Sequence, residues 1–138
     1  MSTNSKIAIE QEDGSIVGVY CHNDGYLEGV GYTLIESWND PVKLKQAIDL
    51  GNASCWGHTI GEKMDFDARG DNFDQICFYG RDRGEKGQGP KTYKDLQAYK
   101  QDEGFCSYIY LLKNTGEWVY SMYKDNTWLP LQPMKKTA

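Results

Sequence analysis

The chain lacks a long apolar run, a basic excess and any closely spaced cysteine pair, and each absence removes a class of protein. No stretch approaches the roughly 18 consecutive apolar residues that a membrane-spanning helix needs. Residues 1–6 are polar, with neither an apolar h-region nor an Arg-rich amphipathic stretch, so no secretion or transit signal is expected and a cytoplasmic location follows. The net charge of −5 argues against direct nucleic-acid binding, which needs a basic stripe to displace phosphate counterions. The acidic cluster Glu10, Glu12 and Asp13 reads as a solvated turn. Cys21, Cys55, Cys77 and Cys106 are far apart and form no C-x-x-C pair; in a reducing compartment that spacing means free, mostly buried thiols. There is no Walker A loop, no G-x-G-x-x-G, no internal repeat and no low-complexity segment.

What the chain does have is aromatic residues. Apolar residues make up only 39% of 138, so the ten tyrosines and four tryptophans must supply much of the core. The length suits one domain over 1–138, with flexible ends at 1–5 and about 132–138.

Alternation over 6–10, the turn Glu12-Asp13-Gly14-Ser15 and the β-branched run 16–21 predict a hairpin. Val30, Leu34 and Trp38 recur at helical spacing, and Asn39-Asp40-Pro41 ends that helix and starts another, with Asp40 at the N-cap and Pro41 at N1. Leu44, Ala47 and Ile48 form the second helix's apolar face, and Gly51 suits a left-handed C′ position. Residues 52–74 are irregular, 75–80 read as a short strand and 81–90 as an exposed loop. Thr92-x-x-Asp95 resembles a capping box opening a helix to about Asp102, with Leu96 and Tyr99 inward. A meander of three strands over 105–129 follows. The order ββααβαβββ with short turns predicts an α+β fold: a single antiparallel sheet of about five to six strands with about three helices packed on one face.

Three segments carry chemistry. Asp24-Gly25-Tyr26-Leu27-Glu28-Gly29-Val30-Gly31 lies between strand and helix, where free N–H groups favour an anion, or where the glycines simply permit positive φ. Gly80-Arg81-Asp82-Arg83-Gly84-Glu85 follows a strand; its arginines suit a phosphate or carboxylate, or pair with local acids. The two loops form one site only if strands 16–21 and 75–80 end on the same side. Cys21, His22, Cys55 and His58 are the one metal-ligand set worth testing, yet Cys21 and His22 point to opposite faces of a strand and chelate poorly together. A Cys–His nucleophilic pair drawn from the same residues has no local activation. Asp65, Asp67, Asp71 and Asp74 lack the glycine and closing glutamate of a calcium loop. No metal or cofactor is expected.

Tyr20-Cys21-His22-Asn23-Asp24-Gly25-Tyr26, then Glu28-Gly29-Val30-Gly31 and Leu34, with Phe78-Tyr79-Gly80-Arg81-Asp82-Arg83-Gly84-Glu85 and the Trp118 strand, resembles a group of small accessory proteins of tailed bacteriophages. The resemblance runs from Ile7 to about Trp128. This chain has Asn23 where the group often has tryptophan, and Leu27 where it often has proline. The resemblance implies a role in the host-cell cytoplasm, through binding a host factor or disarming a defence system.

The resulting expectation is a non-enzymatic, phage-encoded counter-defence protein that binds a host protein or sequesters a small anionic nucleotide signal. Contact candidates are His22, Asp24, Gly25, Tyr26, Gly29, Gly31, Trp56, Tyr79, Arg81, Asp82 and Arg83. One alternative is a small enzyme acting on a nucleotide or phosphorylated ligand, with His22, Asp24 and Arg81 as its polar centre. Another is a minor virion or assembly component, against which the lack of coiled-coil or repeat patterns counts. Neither membrane nor nucleic acid is an expected partner; a homo-oligomer stays open.

Overall fold

Alternation along the first hairpin sets both layers of the fold. β1 (Ser5–Glu10) and β2 (Ile16–Cys21) pair antiparallel from Ser5↔Cys21 to Glu10↔Ile16. Ile7, Ile9, Val17, Val19 and Cys21 point to one face, Ala8 and Ile16 to the other. Both sets are buried, so the hairpin is covered on both sides. The computed structural model describes residues 3–66 and 74–132. The outermost parts of the two ends expected to be flexible, and Asp67 and Asp71, lie outside that range, whereas Ser5 opens β1 and is buried.

The fold is α+β, but the single antiparallel sheet of five or six strands with three helices on one face is corrected. One mixed sheet of eight strands runs in the order β4-β3-β2-β1-β6-β7-β8, with β5 also paired to β2. After the hairpin come one turn of π-helix (Leu27–Gly31), α1 (Tyr32–Ser37), α2 (Pro41–Asp49), β3 (Ala53–Cys55), β4 (Cys77–Phe78), α3 (Tyr79–Arg83), β5 (Lys91–Tyr93), α4 (Leu96–Gln101), β6 (Tyr108–Leu112), β7 (Trp118–Met122) and β8 (Leu129–Pro130). The β1–β6 and β2–β3 pairs are parallel. Short turns do force antiparallel neighbours, but these two pairs are joined through long connections that can return in either direction. β3, β5 and α3 escaped the sequence reading because three to five residues carry no legible periodicity. The strand expected over 75–80 narrows to β4 and turns directly into α3, where an exposed loop was expected.

Both faces of the sheet are packed. On one, α1 and α2 bring Leu34, Trp38, Leu44, Ala47 and Ile48 against the strands. Asp40 caps α2 by accepting from Val42 N at 2.9 Å, and Pro41 opens the helix. Trp118 Nε1 donates to the Trp38 carbonyl (3.2 Å) and Trp38 Nε1 to that of Gly57 (2.9 Å), so two large indoles are buried with their polar atoms satisfied. On the other face, α4 buries Tyr99, whose hydroxyl donates to the Tyr110 carbonyl at 2.9 Å. Tyr93 and Trp128 pack on the Tyr99 ring at 5.3 and 6.3 Å. Among the described residues no helix is long and apolar enough to cross a membrane.

Candidate functional site

One edge of β2 is shared by two strands, and the gap between them is a polar recess. β1 occupies the whole of the other edge. On the shared edge, β5 pairs with Ile16, Val17 and Gly18, while β3 pairs at Cys21. Val19 and Tyr20 fall between. The Asn52 side chain fills in for the missing strand, its Oδ1 accepting from Tyr20 N at 2.9 Å. Gln88 closes the far side: its carbonyl accepts from Asn52 N (2.8 Å) and its side-chain oxygen from Asn52 Nδ2 (3.1 Å). A Cβ on Gly51, which sits at φ +100°, would come within 2.1 Å of that Gln88 carbonyl, so the contact demands glycine twice over. The recess has a volume of about 210 Å³ and is lined by Lys6, Gly18, Tyr20, Asn52, Lys91 and Tyr93 among others.

Register explains why these side chains meet. Lys6 is paired with Tyr20, Gly18 with Lys91, and Ile16 with Tyr93, and directly opposed residues share a face. Two ammonium groups therefore converge beside two phenols. Lys6 Nζ donates to Asp102 Oδ2 at 3.0 Å, Tyr93 OH donates to the same oxygen at 2.6 Å, and Lys91 Nζ lies 3.5 Å from it. The Tyr93 hydrogen bond, together with Lys6 and Lys91, holds the Asp102 carboxyl down at about 2 against the opposing effect of burial. Burial pushes the Tyr20 phenol up to about 12, and burial and the Asp102 partner push Tyr93 up as well. Both phenols are protonated donors at neutral pH. Two lysines against one carboxylate leave the recess positive in an acidic chain.

The residues singled out from sequence are placed elsewhere, in two groups. Cys21 and Phe78 both pair with Ala53, on the two sides of β3, and because β2 runs parallel to β3 and β4 antiparallel, the chain leaves the two strands in opposite directions. The segments after Cys21 and after Phe78 thus diverge, although Asn23 and Tyr79 both hydrogen-bond the Ser54 hydroxyl between them. In the first, backbone groups are satisfied internally: Gly25 N donates to Thr3 O, Gly29 N to Tyr26 O and Val30 N to Asp24 O. The glycines are there for close approach. A Cβ at Gly25 would lie 2.8 Å from Thr3 O, at Gly29 2.3 Å from Asp24 O, and at Gly31 3.3 Å from the Tyr110 hydroxyl. Positive φ falls instead on Asp24, at 57°. Tyr110 OH donates to the Gly25 carbonyl at 2.7 Å and fixes the segment to β6. Tyr26 is partly exposed, its hydroxyl 3.5 Å from Asp24 Oδ1.

In the second segment, Arg81 uses every donor of its guanidinium within the protein. Nε and Nη2 bind the Asp82 carboxylate at 2.9 and 3.2 Å, Nη1 reaches Ile60 O and Gly61 O, and Nη2 also reaches Ile76 O. Asp82, its side chain fully buried, also accepts from Phe78 N and Met64 N. Burial opposes its ionisation, but Arg81 and the two backbone donors outweigh that and hold the carboxyl below its usual range. Arg83 pairs with Glu85 and lies over the Phe66 and Tyr79 rings at 4.4 and 5.0 Å. Trp56 is core, 5.5 Å from Trp38 and 6.4 Å from Phe78. Of the whole set His22 and Tyr79 touch residues of the recess: His22 Nδ1 lies 2.7 Å from the hydroxyl of Tyr20, and Tyr79 N donates to the Asn52 carbonyl at 3.2 Å.

Cys21 and His22 do point apart. Cys21 is buried in the helix-side core, while His22 contacts Tyr20, which packs on the opposite face. His58 is held by Ser37 Oγ at 2.6 Å. Among the described residues no three His, Cys, Asp or Glu side chains group to hold a metal ion. Burial drives the Cys21 thiol pKa far upward, which keeps it un-ionised.

Sequence reasoning passed over Lys6, Asn52, Gly87, Gly89, Lys91 and Tyr93. Lys6 reads as the polar side of a half-buried strand and 81–90 as plain loop; the only available signal was Lys91-Thr92-Tyr93, a β-capable triplet after a glycine-rich run. Compared with protein-family models, with curated proteins and with solved structures, the chain matches none.

Proposed function

We propose that the protein is a non-enzymatic binding protein whose recess takes a small anion or the anionic end of a larger ligand, such as one phosphate of a nucleotide. The observation that carries this reading is the convergence of Lys6 and Lys91 on one recess in a chain of net charge −5. The volume of about 210 Å³ is below the roughly 300–1,000 Å³ of sites that engulf drug-sized molecules, which favours an end group over a whole ligand. Tyr20 and Tyr93 line the recess with neutral phenols. A second groove, lined by Glu10, Glu12 and Asp13 with Lys45, carries an excess of acid and suits the same ligand less. The resemblance to phage accessory proteins supports sequestration of a host nucleotide signal as the biological role.

Calorimetric titration with inorganic phosphate, a mononucleotide and a dinucleotide tests this. Lys91 is exposed, so Lys91→Ala leaves the fold intact and is expected to weaken binding about tenfold, the value of one charge-assisted hydrogen bond. Absence of binding by all three, or binding indifferent to Lys91→Ala, overturns the reading.

A host protein as the target is favoured by one feature, Phe105. It is 87% exposed, with Tyr123 6.3 Å away. On that reading Phe105→Ser, and not Lys91→Ala, removes a stable host-protein complex.

A further inference from the structure

We infer that Cys55 and Cys77 form a redox pair, converted reversibly to a disulfide by low-molecular-weight disulfides of the glutathione class. The inference is independent of the recess. Its basis is register: Cys55 and Cys77 are direct partners across the antiparallel β3–β4 ladder. Directly opposed residues on such strands lie about 4.5–5.5 Å apart at Cα, inside the 4.4–6.8 Å that a disulfide spans. They also present their side chains to the same face. Both cysteines are unbridged, Cys55 half-buried and Cys77 buried. That division suits an attacking thiol that small molecules reach and a resolving thiol that they do not.

The ladder is suited to accommodate the bond. It has two rungs, Ala53↔Phe78 and Cys55↔Cys77, and the register shifts between them. Of the remaining cysteines, Cys21 neighbours Cys55 but is fully buried in the helix-side core, and Cys106 packs on the opposite face of the sheet.

The exchange balances without a metal. The Cys55 thiolate attacks one sulfur of the small disulfide, forming a mixed disulfide and expelling one small thiolate, which takes up the proton Cys55 lost. The Cys77 thiolate then attacks the Cys55 sulfur and expels the second small thiolate, which takes up the Cys77 proton. Two protein thiols are oxidised, and one small disulfide is reduced to two thiols. The product links β3 covalently to β4.

The test is incubation of the folded, full-length protein with oxidised glutathione, then trapping of free thiols by alkylation in denaturant and peptide mapping without reduction. The expected product is one cross-linked peptide pair joining Cys55 to Cys77, reversed by dithiothreitol. In Cys77→Ala, Cys55 is expected to retain glutathione as a stable mixed disulfide. In Cys55→Ser, Cys77 is expected to stay free. Wild-type protein in which both thiols remain open to alkylation, or in which Cys55 is linked to Cys21, overturns the inference.

Discussion

Lys6 and Asp102 stand 96 residues apart in the chain, and their side chains meet at 3.0 Å. The contact ties β1 to the C-terminal end of α4 and, through Tyr93 and Lys91, to β5. Asp102 therefore does two things at once. It braces three segments, and it offsets one of the two positive charges in the recess.

Its depressed pKa gives a signed pH dependence. The unfolded carboxyl titrates near 3.9 and the folded one at about 2, so the network's contribution is fully present above roughly pH 4 and is lost as the pH falls through about 2. Asp102→Asn is expected to lower stability at pH 7 by about 1 kcal/mol, the solvent-screened value for a part-exposed charged hydrogen bond. The gap from wild type is expected to close between pH 4 and pH 2. Urea unfolding across that range measures it.

The glycines of residues 24–31 act through packing, and this separates them from a phosphate-binding loop. Gly29→Ala sets a methyl group against the Asp24 carbonyl, 2.3 Å away on a backbone that cannot yield cheaply. A loss of about 1–3 kcal/mol is expected. Ligand affinity of the folded variant is expected to be unchanged, because the recess lies elsewhere on the sheet. Thermal unfolding and titration together check both halves.

Arg81 is a second case in which a residue read as a ligand contact is engaged within the protein. Arg81→Ala leaves the buried Asp82 carboxylate without its cation and is expected to cost about 3–5 kcal/mol, measured by denaturant unfolding. A variant that lost anion binding with stability intact would return Arg81 to the ligand site.

How much of this could be read in advance follows from the scale of each signal. The first hairpin, the Asp40-Pro41 helix start and the β6–β7 hairpin were legible because alternation, capping and turn residues are local. Gly51 was legible as a left-handed position, but not its near contact with Gln88, because 51 and 88 meet only after β3 has docked on β2. The recess was hidden for the same reason. Lys6 and Lys91 share a face only through the register of two separate ladders, β1–β2 and β2–β5. Conversely, Arg81 and Gly29 looked like ligand residues because glycine and arginine serve tight packing and buried ion pairs as readily as they serve anions.

The central claim is that the split edge of β2 is the binding site, and an amide-resolved NMR titration with inorganic phosphate and a mononucleotide tests it most directly. The account predicts saturable shifts at Gly18, Tyr20, Gly87, Gly89 and Lys91, with little change at Gly25, Gly29 and Gly31, and weakening of the response in Lys91→Ala. Shifts centred on residues 24–31 or on Arg81 and Arg83, or no shifts at all, would contradict it.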